Sequence, residues 1–261
     1  MTERPVFRPS SVDEFLPDPS LRQRPEAPRP PVGSGARLPE GVDFQSAPTW
    51  PVTLRHEELV LRPMRYRDAR RWSQVRERNL AWTGPWDATS PTSTAGRPSF
   101  RPSSHAQMVM ANNRSARAGT SLPFVICVDE GWPEHPSKPE SLPLSGQLTV
   151  GNIVYGSARF ASVGYWVDES IAGRGLAPRA VALAADYCFQ VLGLHRIEVN
   201  IRPENTKSLR VAQKLGLRNE GLRPRFLHID GDWRDHLCFS VLDEDVPAGL
   251  LNALLSRRSS D

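Results

Sequence analysis

The chain has 261 residues, 39% hydrophobic and 24% charged, enough apolar material for one large domain or a domain with an appendage. Lys+Arg 33 against Asp+Glu 29 gives a formal charge of +4 spread along the chain, which suits anionic ligands but excludes a basic run built for nucleic acid. Three widely spaced cysteines exclude a disulfide framework or zinc spacing, and no apolar run approaches the ~18 residues of a membrane span, so a soluble cytoplasmic protein is expected.

Residues 1–50 carry prolines from Pro5 to Pro48 among Arg, Glu, Ser and Gly, with no apolar period of 2 or 3.6. Such a segment buries too little surface to offset its ordering entropy, which predicts a largely disordered extension. Its apolar pairs Val6-Phe7 and Phe15-Leu16 are candidate docking points. From Val52 to Arg62 alternation and β-branched residues predict a strand pair or a bent strand. Asp68 then precedes a helix running to Asn79, and residues 80–104 read as a long loop carrying Trp82 and Trp86. A second helix is expected over 104–118, a buried strand over 124–128 and a Pro-rich connection over 130–143. Strands are expected over 147–155, bulged at Gly151, and over 162–167. Gly173-Arg-Gly175 opens a helix from Leu176 to Val191, followed by a strand over 195–201 and a helix from Asn205 to Gly216. A hairpin of 225–229 and 233–242, turned at Asp230-Gly231, closes the domain at about residue 246, and 247–261 is a C-terminal helix or tail. Strands alternating with helices indicate an α/β or α+β domain with a mixed sheet.

A strand entering Gly-x-Gly and then a helix leaves several backbone N–H groups free at the helix start, with the helix dipole behind them. That is an anion site suited to phosphate, where Gly173 and Gly175 permit close approach and Arg174 adds a pairing charge. The next β-α unit follows about thirty residues later, with Asn205-x-x-Ser208 at its helix start.

Gly164-Tyr-Trp-Val-Asp168, Gly173-Arg-Gly-Leu-Ala177, Asn205-x-x-Ser208, Lys214-Leu-Gly216 and Glu220-Gly221, in this order and spacing, resemble the RimJ/RimL branch of the GNAT acetyltransferases. Asp230-Gly-Asp-Trp-Arg-Asp-His236 and Pro85-Trp86 resemble it too, and the likeness covers roughly Leu54 to Asp245. It implies a GNAT fold whose central strands splay, with the pantetheine arm of acetyl-CoA bonding in the gap beside Trp166 and Val167. It also implies the pyrophosphate on the segment Ala172, Gly173, Arg174, Gly175, Leu176 and Ala177. Asn205 then bonds the pantetheine or acetyl region, and Ser208 donates to the leaving thiolate while the acceptor amine attacks the thioester directly. Trp82 and Trp86 are expected as an aromatic wall of the acceptor pocket or as loop anchors on the sheet.

The chain departs from the family pattern at Ala172, where a side-chain phosphate contact is usual, and at Ala212, where many members carry a Tyr acid. Leu227 stands where a basic Glu can stand, leaving His228, His236 and Asp235 as alternatives in the acceptor region. Asn205 and Ser208 also suit plain helix-start roles. The expected acceptor is a protein N-terminal amine, as in ribosomal-protein acetylation, with a small amine such as an antibiotic or polyamine as the alternative. A non-catalytic acyl-CoA-binding module is the reading from another class. Monomer and homodimer are both open, and no metal or nucleic acid is expected.

Overall fold

The computed structural model describes residues 42–44, 50–92 and 102–258. Nine strands form one sheet among these residues, in the order β1-β2-β3-β4-β5-β6-β7-β9-β8. They are β1 (Val42–Phe44), β2 (Leu54–His56), β3 (Leu59–Pro63), β4 (Leu122–Val128), β5 (Leu144–Val154), β6 (Phe160–Val167), β7 (Arg196–Ile201), β8 (Arg218–Ile229) and β9 (Asp232–Leu242). The helices are α1 (Ala69–Arg78), α2 (Leu80–Thr83), α3 (Pro102–Arg117), α4 (Leu176–Gln190), α5 (Thr206–Leu215) and α6 (Leu250–Arg258). All neighbouring strands are antiparallel except β6 and β7, which the α4 crossover brings together in parallel.

Helices cover both faces, so the central strands are buried throughout and their side chains alternate between two cores. Leu59, Leu61, Phe124 and Ile126 face the core shared with α4, α5 and α6. Val60, Val125 and Cys127 face the smaller core with Trp72 and Val75 of α1 and Val109 of α3. Ala180, Ala182, Ala184 and Ala185 let α4 lie close against its neighbours, and Leu183 beside them is fully buried. Truncating such a leucine to alanine costs about 2–5 kcal/mol. All three cysteines are buried and unpaired.

Several boundaries differ from the sequence expectation. β1 lies inside the stretch expected to be disordered and pairs with β2 through Val42↔His56 and Phe44↔Leu54. Two residues suited to a pleated surface are enough once a partner edge is available. The rest of that stretch, including Val6-Phe7 and Phe15-Leu16, lies outside the described residues. The loop expected from Leu80 begins instead with α2 and a 3-10 turn over Gly84–Trp86. Asp68 precedes α1 without capping it, because its carboxylate binds Arg62 (2.8 and 2.9 Å) and the Arg65 N–H (2.9 Å). β8 starts seven residues early, at Arg218, accommodating Gly221 and Pro224 through two register shifts against β9. The turn at Asp230-Gly231 has φ of 47° and 84°, the left-handed pair that a type I′ hairpin requires. The C-terminal helix is part of the domain, since Leu250, Leu251 and Leu254 sit in the α4 core. Among the described residues no helix is long and apolar enough to cross a membrane.

Candidate active site

β6 and β7 pair over only three residues, Phe160↔Arg196, Ala161↔Ile197 and Ser162↔Glu198, and then diverge. Beyond Ser162, β6 stays bonded to β5 on one side and presents an unpaired edge on the other. The Asp168 N–H turns to Ser145 O of β5 (2.8 Å), whereas the Val167 carbonyl accepts from Trp82 Nε1 (3.1 Å). By strand alternation the backbone groups of Val163, Tyr165 and Val167 therefore face the gap, and an extended ligand could bond there as a further strand. Trp166 bonds back toward β5 through its backbone register with Gln147 and meets the cleft through its indole.

A cleft of about 910 Å³ opens at this gap. One wall is the turn into α4, including Ala172, Gly173, Gly175, Leu176 and Ala177. Gly173 and Gly175 sit at φ 85° and 76°, and a Cβ on Gly173 would meet nothing within 4 Å. Gly175 is the N-cap of α4 and offers no side-chain acceptor, so the first-turn N–H groups remain available to an anion. Pro178 sits in that first turn, where its missing N–H breaks no helical bond. Arg174 is not on this wall. Its guanidinium instead donates to Glu130 (2.9 Å) in an exposed pair.

Asn205 and Ser208 line the opposite wall. Asn205 caps α5, its Oδ1 accepting from the Ser208 N–H (3.1 Å). Lys207, Arg210 and Lys214 line the same wall at helical spacing. Among the described residues none of the three is in a salt bridge, and the Lys207 ammonium lies 3.5 Å from the centre of the Trp82 ring. The i, i+3, i+7 spacing of these three cations is the sequence signal of this basic stripe.

The far end of the cleft is aromatic. Trp72 and Trp166 both donate to Gln147 Oε1 (3.0 and 3.1 Å), and the buried Arg76 guanidinium lies over the Trp166 ring at 4.9 Å. Arg76 also binds Thr83 and Asp87. Trp86 lines this end, with the Arg202 guanidinium 5.3 Å over its ring and bonded to Pro85 O (2.9 Å). Thus Trp82 and Trp86 do border the cleft, while Trp72, Arg76 and Gln147 are functional candidates that sequence reasoning missed.

The two histidines named for the acceptor region do not line the cleft. His228 Nδ1 is 2.7 Å from Thr89 Oγ1, tying the hairpin to the segment behind Trp86 and Asp87, and its ring packs edge-on against Trp233. His236 is buried with Nδ1 against Arg234 O (2.9 Å), and burial lowers its pKa. Leu227, exposed on β8, and Ala212, buried in the α4 core, offer no acid or base to the cleft either.

Tyr165, between Val163 and Val167 on the α4 face of β6, lines the cleft, and its hydroxyl has Ser208 as a neighbour. The oxygen is buried, and no partner closes an ordinary hydrogen bond to it. Burial pushes its pKa up to about 12, with Ser208 acting in the opposite sense. At the end of β6, Asp168 binds Arg78, the Asn79 amide (3.1 Å) and the Ser170 N–H (3.2 Å). Burial raises its pKa, but these donors together outweigh burial and hold the carboxyl below its usual range. Asn79 Oδ1 in turn accepts from Glu169 N (2.9 Å), so the α1–α2 junction is fastened over the gap.

A splayed strand pair, a helix N-terminus at the gap and a second helix with a polar first turn define an acyl-CoA transferase architecture. The sequence profile described as an acetyltransferase (GNAT) domain matches residues 58–218, and the chain belongs to the GNAT acetyltransferase family. It is an acetyl-CoA-dependent N-acetyltransferase. Mycobacterium smegmatis RimJ in complex with CoA-disulfide is similar in structure, with TM-score 0.70 and 35% identity over 80% of this chain and 95% of that one. The [ribosomal protein uS5]-alanine N-acetyltransferase of Escherichia coli (strain K12) is 27% identical over 76% of this chain and 94% of that protein. The probable N-acetyltransferase YjcK of Bacillus subtilis is 37% identical over 39% of this chain, a match spanning 56% of that protein.

The residues present fit the acyl donor. The open glycine turn, the unpaired β6 edge and the basic face of α5 supply N–H groups, an extended bonding edge and cationic side chains along one cleft.

Proposed function

We propose that this chain transfers acetyl from acetyl-CoA to the α-amine of a protein N-terminus, with a ribosomal protein as the acceptor. The observation that carries the acceptor class is the charge of the cleft lining. Asp87 is the one acidic residue on it among the described residues, and Arg76 pairs with it, while Arg76, Lys207, Arg210 and Lys214 are all cationic. A polyamine, whose further ammonium groups call for carboxylates, would find none free on this lining.

The same lining holds no evident strong base, which separates amine classes by their own acidity. An α-amine titrates near 7.7–8.0 and a lysine near 10.4, so presenting a neutral lysine amine costs about 3.5 kcal/mol more. At pH 7.4 about a fifth to a third of a peptide α-amine is already neutral.

In this reading acetyl-CoA supplies the activated acyl group. The first-turn N–H groups of α4 hold its pyrophosphate, and the β6 edge at Val163–Val167 aligns its arm. Lys207, Arg210 and Lys214 add charge along α5. Asn205 orients the first turn of α5, and Ser208 donates a hydrogen bond to the departing sulfur. Trp72, Trp86 and Trp166 flank the amine. The likeness to RimJ and to the uS5-alanine enzyme supports the ribosomal acceptor.

The test is thiol release from acetyl-CoA with peptides of varied N-termini, N-blocked lysine peptides, and spermidine. Turnover on free N-termini, lost on blocking the α-amine, is the expected result. Turnover confined to spermidine or to lysine side chains would replace this acceptor, and donor binding without turnover on any amine would point to a binding module.

A further inference from the structure

We propose that Tyr165 is a positioning residue for transfer, its hydroxyl donating to Ser208 Oγ in the loaded cleft so that the Ser208 proton is aimed at the sulfur. The proposal rests on the acetyl-transfer reading above. It begins from an unusual oxygen. A buried hydroxyl left without a partner costs about 1–3 kcal/mol, so such groups are uncommon unless something else engages them. The Tyr165 oxygen is buried and unpartnered, and it sits on the strand whose free edge forms the gap. Ser208, at the first turn of α5, is its polar neighbour and lines the same cleft.

The chemistry assigns each hydroxyl a direction. A serine hydroxyl both donates and accepts, so a donor behind it leaves its own hydrogen free to point forward. Tyr165 has the reach to be that donor. With its pKa raised to about 12, it stays neutral and donates a hydrogen bond instead of giving up its proton. Ser208, a far weaker acid than a thiol, also keeps its proton and stabilises charge on sulfur by hydrogen bonding. Through the step an N–C bond forms and the C–S bond breaks. Water takes the proton released by the amine, and water supplies the one gained by sulfur.

Ala212 fits the same picture. Ala212 of α5 is buried in the core and offers no hydroxyl, whereas Tyr165 approaches the first turn of α5 from the strand side.

The experiment uses the full chain with Tyr165→Phe, Ser208→Ala and the double variant. Phenylalanine preserves the ring and deletes only the unsatisfied oxygen, so its melting temperature should equal or exceed that of the wild type; a clear drop would show that the oxygen serves the fold and overturn the proposal. Tyr165→Phe is expected to lower kcat about tenfold, equivalent to 1.36 kcal/mol, with KM for acetyl-CoA unchanged. In the Ser208→Ala background it should remove nothing further, because the hydroxyl acts through Ser208. A second readout needs no turnover: the thiol pKa of bound CoA, followed by thiolate absorbance against pH, should rise in Tyr165→Phe and in Ser208→Ala alike. An unchanged thiol pKa and kcat in Tyr165→Phe, or losses that add in the double variant, would overturn the role. If wild-type protein fails to bind CoA at all, the acetyl-transfer reading falls first, and calorimetry on the wild type separates the two failures.

Discussion

At Gly175 the backbone stands at φ 76°, where any L side chain is strained, and the residue caps α4 on the wall of the cleft. Two substitutions separate strain from charge. Gly175→Ala adds a left-handed residue at a cost of about 1 kcal/mol and should weaken acetyl-CoA binding modestly. Gly175→Glu adds a carboxylate against the pyrophosphate and is expected to weaken binding about 100-fold or more. Calorimetric affinities for the two variants decide the matter, and equal losses would assign the effect to backbone strain alone. Ser208 tests the opposite wall. Its backbone N–H, not its hydroxyl, is what Asn205 caps, so Ser208→Ala keeps the helix start. Turnover should fall about tenfold with donor affinity unchanged. Weakened donor binding with full turnover would show that the hydroxyl holds the cofactor instead.

Between elements, buried carboxyls act as fasteners. Asp186 of α4 accepts from the Leu250 N–H (2.6 Å) and the Leu251 N–H (3.1 Å), capping α6 from a neighbouring helix. Burial raises its pKa and the two N–H donors lower it; burial dominates, and the value stands at about 6. Because the folded carboxyl holds its proton more tightly than the unfolded one near 3.9, stability is greatest below about pH 4 and declines as pH rises to 6. Relative to Asp186→Asn, the wild type should lose about 2 kcal/mol between pH 4 and 7 in urea titrations. A difference that stays constant with pH would mean that this carboxyl titrates normally. The hairpin offers a second fastener. Thr89 bonds His228 through its N–H to the backbone carbonyl (2.9 Å) and through its hydroxyl to Nδ1, and Gly231 N–H donates to Thr89 Oγ1 (3.2 Å). Thr89→Val deletes the hydroxyl with little change of shape. KM for the acceptor should rise a fewfold while acetyl-CoA affinity holds, since the segment with Trp86 loosens and the α4 turn does not. A change in donor affinity alone would contradict that division.

Across the whole molecule the cleft joins two halves with different supports, the α4–α5 side and the α1–α3 side. Asp168 links them, gathering Arg78, Asn79 and Ser170 at the end of β6. Its depressed pKa has the reverse sign to Asp186: the stability it adds is present above about pH 4 and is lost as pH falls below that. Asp168→Ala leaves the buried Asn79 amide short of a partner and should cost about 2–4 kcal/mol in denaturant unfolding at pH 7. That loss should shrink toward acid pH, and a loss independent of pH would show that packing, not the carboxylate, carries the link.

Much of this organisation is local and was therefore legible in the chain itself. The Gly173-Arg-Gly175 turn, the Asn205 helix start and the Asp230-Gly231 hairpin follow from residues within a few positions of one another, because turn chemistry and capping act over that range. The apolar periods of α4 and the central strands likewise follow from neighbouring residues. Length was harder: α2 is only four residues, and Gly221 and Pro224 concealed the first half of β8, whose pairing to β9 outweighs local propensity. The site needed tertiary structure. Arg174 turns to Glu130, forty-four residues away, and His228 to Thr89, so neither choice is written in its own neighbourhood. Tyr165 reads in sequence as one more strand residue, and becomes notable only where β6 leaves β7 after Ser162 and Ser208 arrives across the gap. The chain by itself determined most of the elements and the glycine turn that opens α4, through short-range conformational preference. Only the packed structure decided which side chains share the cleft, because that depends on the direction in which distant elements meet.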